Sequence, residues 1–517
     1  MKCSHTTKSR LSCCFLPIGL FFCVTLTAIS AVPRESYQTG KWTTPQIIST
    51  SAISETVRSW FPDLAIDEYG TVHMIWCLTS SLPDYQNMER VAYTRLTNSS
   101  WSQPNDIVPP SPDIVRNAIT TDLNGHVLML YGGSVHNKNF ALYFTQANLN
   151  DAWSGQAWSP SIQVNLNQSY MGDIAVDSHG VIHVIYDDMV SYTGQQKGRN
   201  YSDIYYRKST DGGKNWSTPA NLSNSPQTGS ARPYMEIDSN DTIHVTWDEG
   251  WDRLTGVEAN SQYSVYTYSK DGGESWSVPK MIDYPNGSTE QLTVGSTGKG
   301  GVMLVWRSKL DQNLYYQWSS DGGVTWSVMP TIHNMSARPW TIPFDMYDMA
   351  SDSNGTIHLV VVGQPSDKDT IPGVYHLIWD GVRWSKPEKI FWQDNLYPEY
   401  PKIVISEGNQ IHTAWFTREG GVWNSTIHHV WYSRGQADAP FVAIIPPPTP
   451  TTPAITLTPT LYPSATPQPT ISSEGIGINS PTKEYEYLRV LAIVLSPVAL
   501  LLGVIFLIKL TRLYNRL

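Results

Sequence analysis

Cysteine is almost missing from the part of the chain that can fold. Of five cysteines, Cys3, Cys13, Cys14 and Cys23 precede residue 33, and only Cys77 follows it. A single thiol makes no internal disulfide, so a domain outside the cell must rest on a large core. Basic residues are in the minority as well: 35 Lys plus Arg against 45 Asp plus Glu, a formal charge of −10. That balance argues against nucleic acid, whose binding rests on Lys and Arg contacts to phosphate. No EF-hand, P-loop, HExxH or GxSxG pattern occurs, so no metal and no cofactor is expected.

Long apolar runs are confined to the two ends. Lys2, Lys8 and Arg10 lead into an apolar stretch closed by Ala28, Ser30 and Ala31, and residues 1–32 read as a secretory signal peptide. Val490–Ile508 is apolar apart from Ser496, Pro497 and Gly503; as a helix it spans roughly 28 Å, about a bilayer core. Lys509, Arg512 and Arg516 follow, which puts that side in the cytoplasm. The expected layout is a folded domain at 33–440, a Pro/Thr/Ser-rich stalk at 441–486, a transmembrane helix at 487–509 and a tail at 510–517. The stalk, "PPPTPTTPAITLTPTLYPSATPQPT", has no core-forming residues to spare and reads as extended and disordered. The expected location is the cell surface, with one membrane pass and the N-terminal domain outside.

What the chain does have is aromatic residues, with 20 Trp and 28 Tyr, and a repeat. "PDLAIDEYGTVHMIW" from Pro62 returns as "NAITTDLNGHVLMLY", "GDIAVDSHGVIHVIY" and "PYMEIDSNDTIHVTW". Looser copies begin at Glu290, Tyr347 and Pro401, so the period is roughly 55 residues. Each copy is an apolar strand, a tight Asp/Asn/Gly turn and a second apolar strand, which is a hairpin. A second hairpin follows: "DIYYRKS" leads through a turn to "WSTPANLS". Four antiparallel strands per period predict an all-β propeller of seven blades. The seventh hairpin lacks a last strand, and "GKWTTPQIIS" at Gly40 lacks a predecessor. The N-terminal strand is therefore expected to close the last blade and remove the open edge.

Three of the second turns share one line: "STDGGKNWS" at Ser209, "SKDGGESWS" at Ser269 and "SSDGGVTWS" at Ser319. The pattern S-x-D-x-G-x-x-W resembles the Asp-box, or BNR repeat, of the sialidase superfamily, and the resemblance covers roughly Gly40 to Gly435. It implies a turn between the third and fourth strands of a blade. Asp211, Asp271 and Asp321 can accept hydrogen bonds from turn amides. Gly213, Gly273 and Gly323 can take positive φ, and Trp216, Trp276 and Trp326 can bury large rings. Equivalent residues of separate blades lie around a ring and do not converge, so these nine are expected to be scaffolding. The same holds for His73, His183, His244, His358 and His412, one per repeat, for which no shared metal is expected.

The resemblance also implies where chemistry would sit. Sialidases hold a substrate carboxylate with three arginines, whose planar forks match it, and use an Asp acid/base and a Tyr nucleophile assisted by Glu. Here Arg58, Arg116, Arg232 and Arg338 lie shortly before inner strands. The stretch "ARPYMEIDSNDTIHVTWDEGWDRL" makes Arg232 the carboxylate arginine, Asp252 or Glu249 the acid, Tyr234 the tyrosine and Trp251 a platform for sugar. Three departures bear on this. Pro233 follows Arg232 directly, the lookalike sits in the fourth repeat, and sialidases have six blades, which keeps six as the runner-up count. Two readings stay open: an exo-glycosidase of sialidase type acting on an acidic sugar, and a non-catalytic propeller that binds glycan, glycoprotein or protein.

Overall fold

The computed structural model describes residues 41–49, 57–80, 88–97, 99–112, 114–134, 140–191, 200–225, 228–250, 261–285, 289–338, 347–365, 372–421 and 427–444. The chain divides into two compact units, Met1–Pro447 and Pro448–Leu517, and every described residue belongs to the first. The expected signal peptide, most of the stalk, the transmembrane helix and the tail lie outside the described residues, as do Trp251 and Asp252. No helix among the described residues is long and apolar enough to cross a membrane.

The described chain is all-β, with one turn of 3₁₀ helix at Gly155–Ala157. Each repeat is an antiparallel set whose strands follow one another from the inside outward. The inner strands are Val57–Ile66, Ile114–Thr121, Gly172–Val176, Gly229–Ile237, Thr289–Ser296, Tyr347–Ser351 and Leu396–Ser406. Each packs on the next, and the last packs on the first, so the sheets form a closed, propeller-type ring. The last repeat takes its outer strand from the N-terminus: Gln46 pairs with Tyr432 and Ile47 with Trp431, and Trp42 bridges to Gly435.

The core lies between the sheets rather than at the axis. Second-strand Trp76, Trp247, Trp306 and Trp415 are fully buried. The first-hairpin turns explain the Asp-x-x-Gly spacing: Asp67 Oδ1 accepts from the amides of Tyr69 and Thr71, and Gly70 closes the turn at φ 74°. The repeated histidine then ties turn to sheet. His183 Nε2 lies 3.1 Å from Asp177 Oδ2, and its Nδ1 lies 2.7 Å from the Tyr206 hydroxyl. His73 and His244 make the same pair of contacts with Asp67 and Tyr93, and with Asp238 and Tyr266. His358 substitutes His376 for the tyrosine, and His412 substitutes Ser406 for the aspartate while keeping Tyr432.

The Asp-box turns extend that chain to the next repeat. The Ser269 hydroxyl donates to Asp271 Oδ1 and accepts the Gly273 amide, and the Ser275 amide donates to Asp271. Trp276 meets Tyr206 of the preceding repeat edge-on at 5.0 Å; Trp216 meets Phe144 and Trp326 meets Tyr266 alike. A Cβ on Gly213, Gly273 or Gly323 would lie 2.1–2.2 Å from those same rings. Asp211, Asp271 and Asp321 each hold their own turn, and hydrogen bonds from that turn keep their carboxyls down at about 2.

Gly322 donates to Gly300, so the Asp-box turns and the first-hairpin turns share one face. The last described segment crosses this face. Pro440 O accepts from Ser353, the Val442 amide donates to Glu407 O, and Ile444 lies against Gly70. Val442 and Ile444 of the expected stalk thus still touch the ring.

Candidate ligand site

At the opposite end of the inner strands the backbone departs from ideal pairing. Register shifts fall between Trp60 and Asp63, Val115 and Asn117, Ala231 and Tyr234, Glu290 and Thr293, and Glu399 and Lys402. Each bulge holds a left-handed residue: Phe61 (φ 52°), Arg116 (62°), Arg232 (56°), Gln291 (58°) and Tyr400 (53°). A side chain in that conformation costs about 1–2 kcal/mol. A bulge also re-aims side chains.

The four arginines singled out in the sequence go to different places. Arg58 is the second residue of its inner strand and is exposed. Arg116 is buried, with its guanidinium 5.4 Å from the Phe61 ring and 5.3 Å from the Tyr400 ring. Arg232 is buried at 4 % exposure, with Nε donating to Asp248 Oδ2 at 2.8 Å. Arg338 follows the outer strand Thr331–Ala337 instead of leading an inner one. It is fully buried, with Nη1 3.4 Å from Glu399 Oε1. Hence Arg116 and Arg232 lie inside inner strands, because the bulge lets those strands begin earlier than the apolar pattern does.

Arg232 and Arg338 belong to one continuous network. Asp248 Oδ2 also accepts the amide of Gln291. Next to it Glu290, fully buried, lies 3.3 Å from Arg307 Nε and 3.6 Å from Lys309 Nζ. Arg307 Nη2 donates to the carbonyl of Arg338 at 2.9 Å. Glu399 takes Arg338 on one side and a two-pronged contact from Arg418, 2.9 and 3.2 Å, on the other. Burial lowers the proton affinity of Arg307, Lys309 and Arg338, the last to about 10. Glu290 and Glu399 oppose that loss, while Arg232, Arg307 and Arg418 add repulsion. Lys309 is the most open of these, at 20 % side-chain exposure. Glu290, Arg307, Lys309, Glu399 and Arg418 were not singled out in the sequence. Arg307 and Arg418 share one signal, a charge next to the end of an apolar second strand, as in Trp306–Arg307.

Of the carboxylate and tyrosine candidates, Glu249 and Tyr234 are among the described residues and Asp252 is not. Asp248 and Glu249 lie within the second strand Ile243–Gly250, not in the loop after it. Asp187 and Asp188 likewise lie within the strand Ile182–Ser191. Glu249 is buried and accepts from Ser225, Thr228, Ser230 and the Trp247 indole. Burial raises its proton affinity and those four donors oppose the rise. Tyr234 points to the axis, where its hydroxyl donates to Asp348 Oδ1 at 2.5 Å. Burial, then the nearby carboxylates, push its ionisation well above the ordinary tyrosine range, the reverse of what a phenolate nucleophile needs.

Residues 169–413 match the family described as the BNR repeat-like domain. A search of curated proteins finds no match to the chain. Solved structures similar to it include a protein of unknown function from Dyadobacter fermentans, at 14 % identity and a TM-score of 0.44, covering 77 % of this chain and 100 % of that one. A mutant of the NanB sialidase of Streptococcus pneumoniae is 12 % identical with a TM-score of 0.43, covering 76 % and 70 %. An α-L-arabinanase of Penicillium chrysogenum in complex with arabinobiose is 14 % identical with a TM-score of 0.41, covering 76 % and 98 %.

Proposed function

We propose that this chain is a membrane-anchored, seven-bladed propeller displayed outside the cell, which binds acidic carbohydrate at the end of the ring remote from its Asp-box turns. One observation carries the reading: Arg232, Arg307, Lys309, Arg338 and Arg418, drawn from three repeats, converge on one network at that end. Five cationic side chains against the three carboxylates of Asp248, Glu290 and Glu399 leave a local excess of positive charge on a chain of formal charge −10, which favours an anionic ligand there. Guanidinium groups prefer carboxylate and sulfate-like oxygens. The chain leaves the ring on the opposite face, where residues 437–444 cross the turns, so a tether attached there keeps the basic end clear.

Binding without hydrolysis is favoured over a glycosidase. Tyr234 is held by Asp348 and its ionisation is pushed well above the ordinary tyrosine range, so it does not stand as an activated nucleophile, and Glu249 has its oxygens taken by four donors of its own chain. The test is a glycan array probed with the soluble region 33–444, together with a fluorogenic sialoside. Binding to sialylated or uronate glycans without turnover is the expected result. Turnover of the sialoside would move the protein to the enzyme class, and no acidic glycan bound would reject the reading.

A further inference from the structure

The last strand of the ring, His428–Gln436, does not release the chain into solvent. Residues 437–444 have no helix or strand of their own and cross the first-hairpin turns of the sixth, seventh and first repeats. Ala437 is buried in the core around the sixth and seventh repeats, and its amide donates to Asn409 O. The next three carbonyls each accept from a turn side chain. Asp438 O takes Asn354 Nδ2 at 3.4 Å, Ala439 O takes Asn409 Nδ2 at 3.0 Å, and Pro440 O takes the Ser353 hydroxyl at 2.6 Å. The Val442 amide then donates to Glu407 O at 2.8 Å. Ile444 ends the run on the first repeat, where its Cδ1 lies 2.2 Å from the place a Cβ on Gly70 would take. The polar backbone of this segment is thus satisfied by the ring.

The seventh turn is shaped for the crossing. Gly70 stands three residues after Asp67, and Gly355 three after Asp352. In the seventh repeat the glycine moves one place forward, to Gly408 after Ser406, with Glu407 at φ 51° and Gly408 at φ 76°. A Cβ on Gly408 would lie 2.7 Å from Val442 Cγ2, 2.8 Å from Ser353 Cβ and 2.9 Å from Pro440 O. Asn409 takes the place of the usual glycine. It is buried, its carbonyl accepts from Ala437 and its side-chain amide donates to Ala439. The Ser353 amide donates to Gly408 O, which ties the sixth turn to the seventh beneath the crossing.

We propose that residues 437–444 are a strap that locks the ring at its seam and keeps tension on the following chain from peeling the last repeat. The seam itself is slight. Gln46 pairs with Tyr432 and Ile47 with Trp431, Trp42 bridges to Gly435, and Arg58 of the first repeat meets His428. All four partners lie on His428–Gln436. An antiparallel ladder pulled from one end opens pair by pair, so force applied at Gln436 would strip that strand, beginning with its pairing to Gln410. The strap moves the point of attachment away from the strand. A pull on residues beyond 444 meets Ile444 on Gly70 and the Val442–Glu407 bond first. The Phe441 and Val442 side chains are exposed, so the grip comes from backbone hydrogen bonds, Ala437 and Ile444. The lock acts whatever the following chain is attached to.

The experiment is hydrogen exchange of the full chain in detergent, followed by mass spectrometry, for the wild type, Val442→Pro, Asn409→Ala and the control Phe441→Ala. Val442→Pro removes the amide that Glu407 accepts, and Asn409→Ala removes the donor to Ala439. Each should speed exchange in Gln410–Glu419 and His428–Gln436 by about three- to tenfold, the loss of one hydrogen bond. Exchange in Ile182–Ser191 of the third repeat should not change, and Phe441→Ala should match the wild type. Unchanged exchange in the seventh repeat of both variants, or an equal rise in the third repeat, would overturn the lock. Single molecules pulled from their two ends test the tension: Val442→Pro should open at lower force than the wild type, and equal opening forces would overturn that half of the proposal.

Discussion

Gly272 and Gly273 stand side by side in one Asp-box turn and should respond very differently to the same added methyl group. Both are left-handed, at φ 65° and 81°, so Gly→Ala costs about 1–2 kcal/mol at either from backbone conformation alone. At Gly272 a Cβ meets nothing within 4 Å, whereas at Gly273 it would lie 2.1 Å from the Tyr206 hydroxyl oxygen and 2.3 Å from its Cζ. Tyr206 cannot step aside cheaply, because its hydroxyl is 2.7 Å from His183 Nδ1 and donates to Gly272 O. Overpacking adds about 1–3 kcal/mol, for a total of about 2–5 kcal/mol. In a cooperative unit of about 400 residues, 1 kcal/mol moves Tm by roughly 1 °C. Calorimetric melting should show Gly272→Ala down by about 1–2 °C and Gly273→Ala by about 2–6 °C, with the same ordering in urea. Equal shifts for the two variants would refute the claim that the Asp-box glycine is fixed by the preceding repeat.

Trp42→Ala should cost about 3–5 kcal/mol, typical of a lost core tryptophan, because Trp42 is 4 % exposed and packs on Gly435 and His376 where the ring closes; denaturant titration checks it. Lys309→Gln should weaken acidic glycan binding by about 1–2 kcal/mol with little loss of stability, as measured by calorimetry and melting; full affinity in the variant would remove Lys309 from the site. Stability should also follow pH in two windows. His376 and His412 are held neutral by burial, at about 4 and about 3, so their contribution is complete above about 6.5 and is lost as pH falls. Asp173 and Glu236, raised by burial to about 7 and about 8, bind protons more tightly folded than unfolded, so their contribution is lost as pH rises from about 4 to 8. The histidines being silent above about 6.5, a fall of about 1–3 kcal/mol from there to pH 8 should appear in the wild type. It should vanish in Asp173→Asn/Glu236→Gln, and an unchanged slope in that variant would contradict the assignment.

The features visible in the sequence are those made by contiguous residues. Asp67 and Gly70 belong to one turn, Ser269, Asp271 and Gly273 to another, and each announces its geometry within five positions. Trp42 at the N-terminus was readable as a closing strand because a strand without a partner appeared at each end. The charge network was not readable in that way. Glu290 and Arg307 are joined by a sheet register, and Arg307 reaches the carbonyl of Arg338 across the width of its own sheet, so no local pattern unites them. The bulges were hidden too, since nothing in "ARP" or "PEYP" separates a left-handed residue from an extended one. One register position of the inner strands is an intermediate case. Asp63, Asp173, Tyr234, Thr293, Asp348 and Lys402 occupy one column of the aligned repeats, and a polar column in an apolar strand is a signal that the turns and tryptophans overshadowed.

The most direct test of the account is a crystal structure of residues 33–444 with a bound acidic oligosaccharide that the array selects. The account predicts the ligand carboxylate at the basic end, within hydrogen-bond reach of Lys309 or Arg418, with the Asp-box face empty of sugar. A ligand seated on the Asp-box turns, or a basic end left vacant while sugar is bound elsewhere, would contradict it.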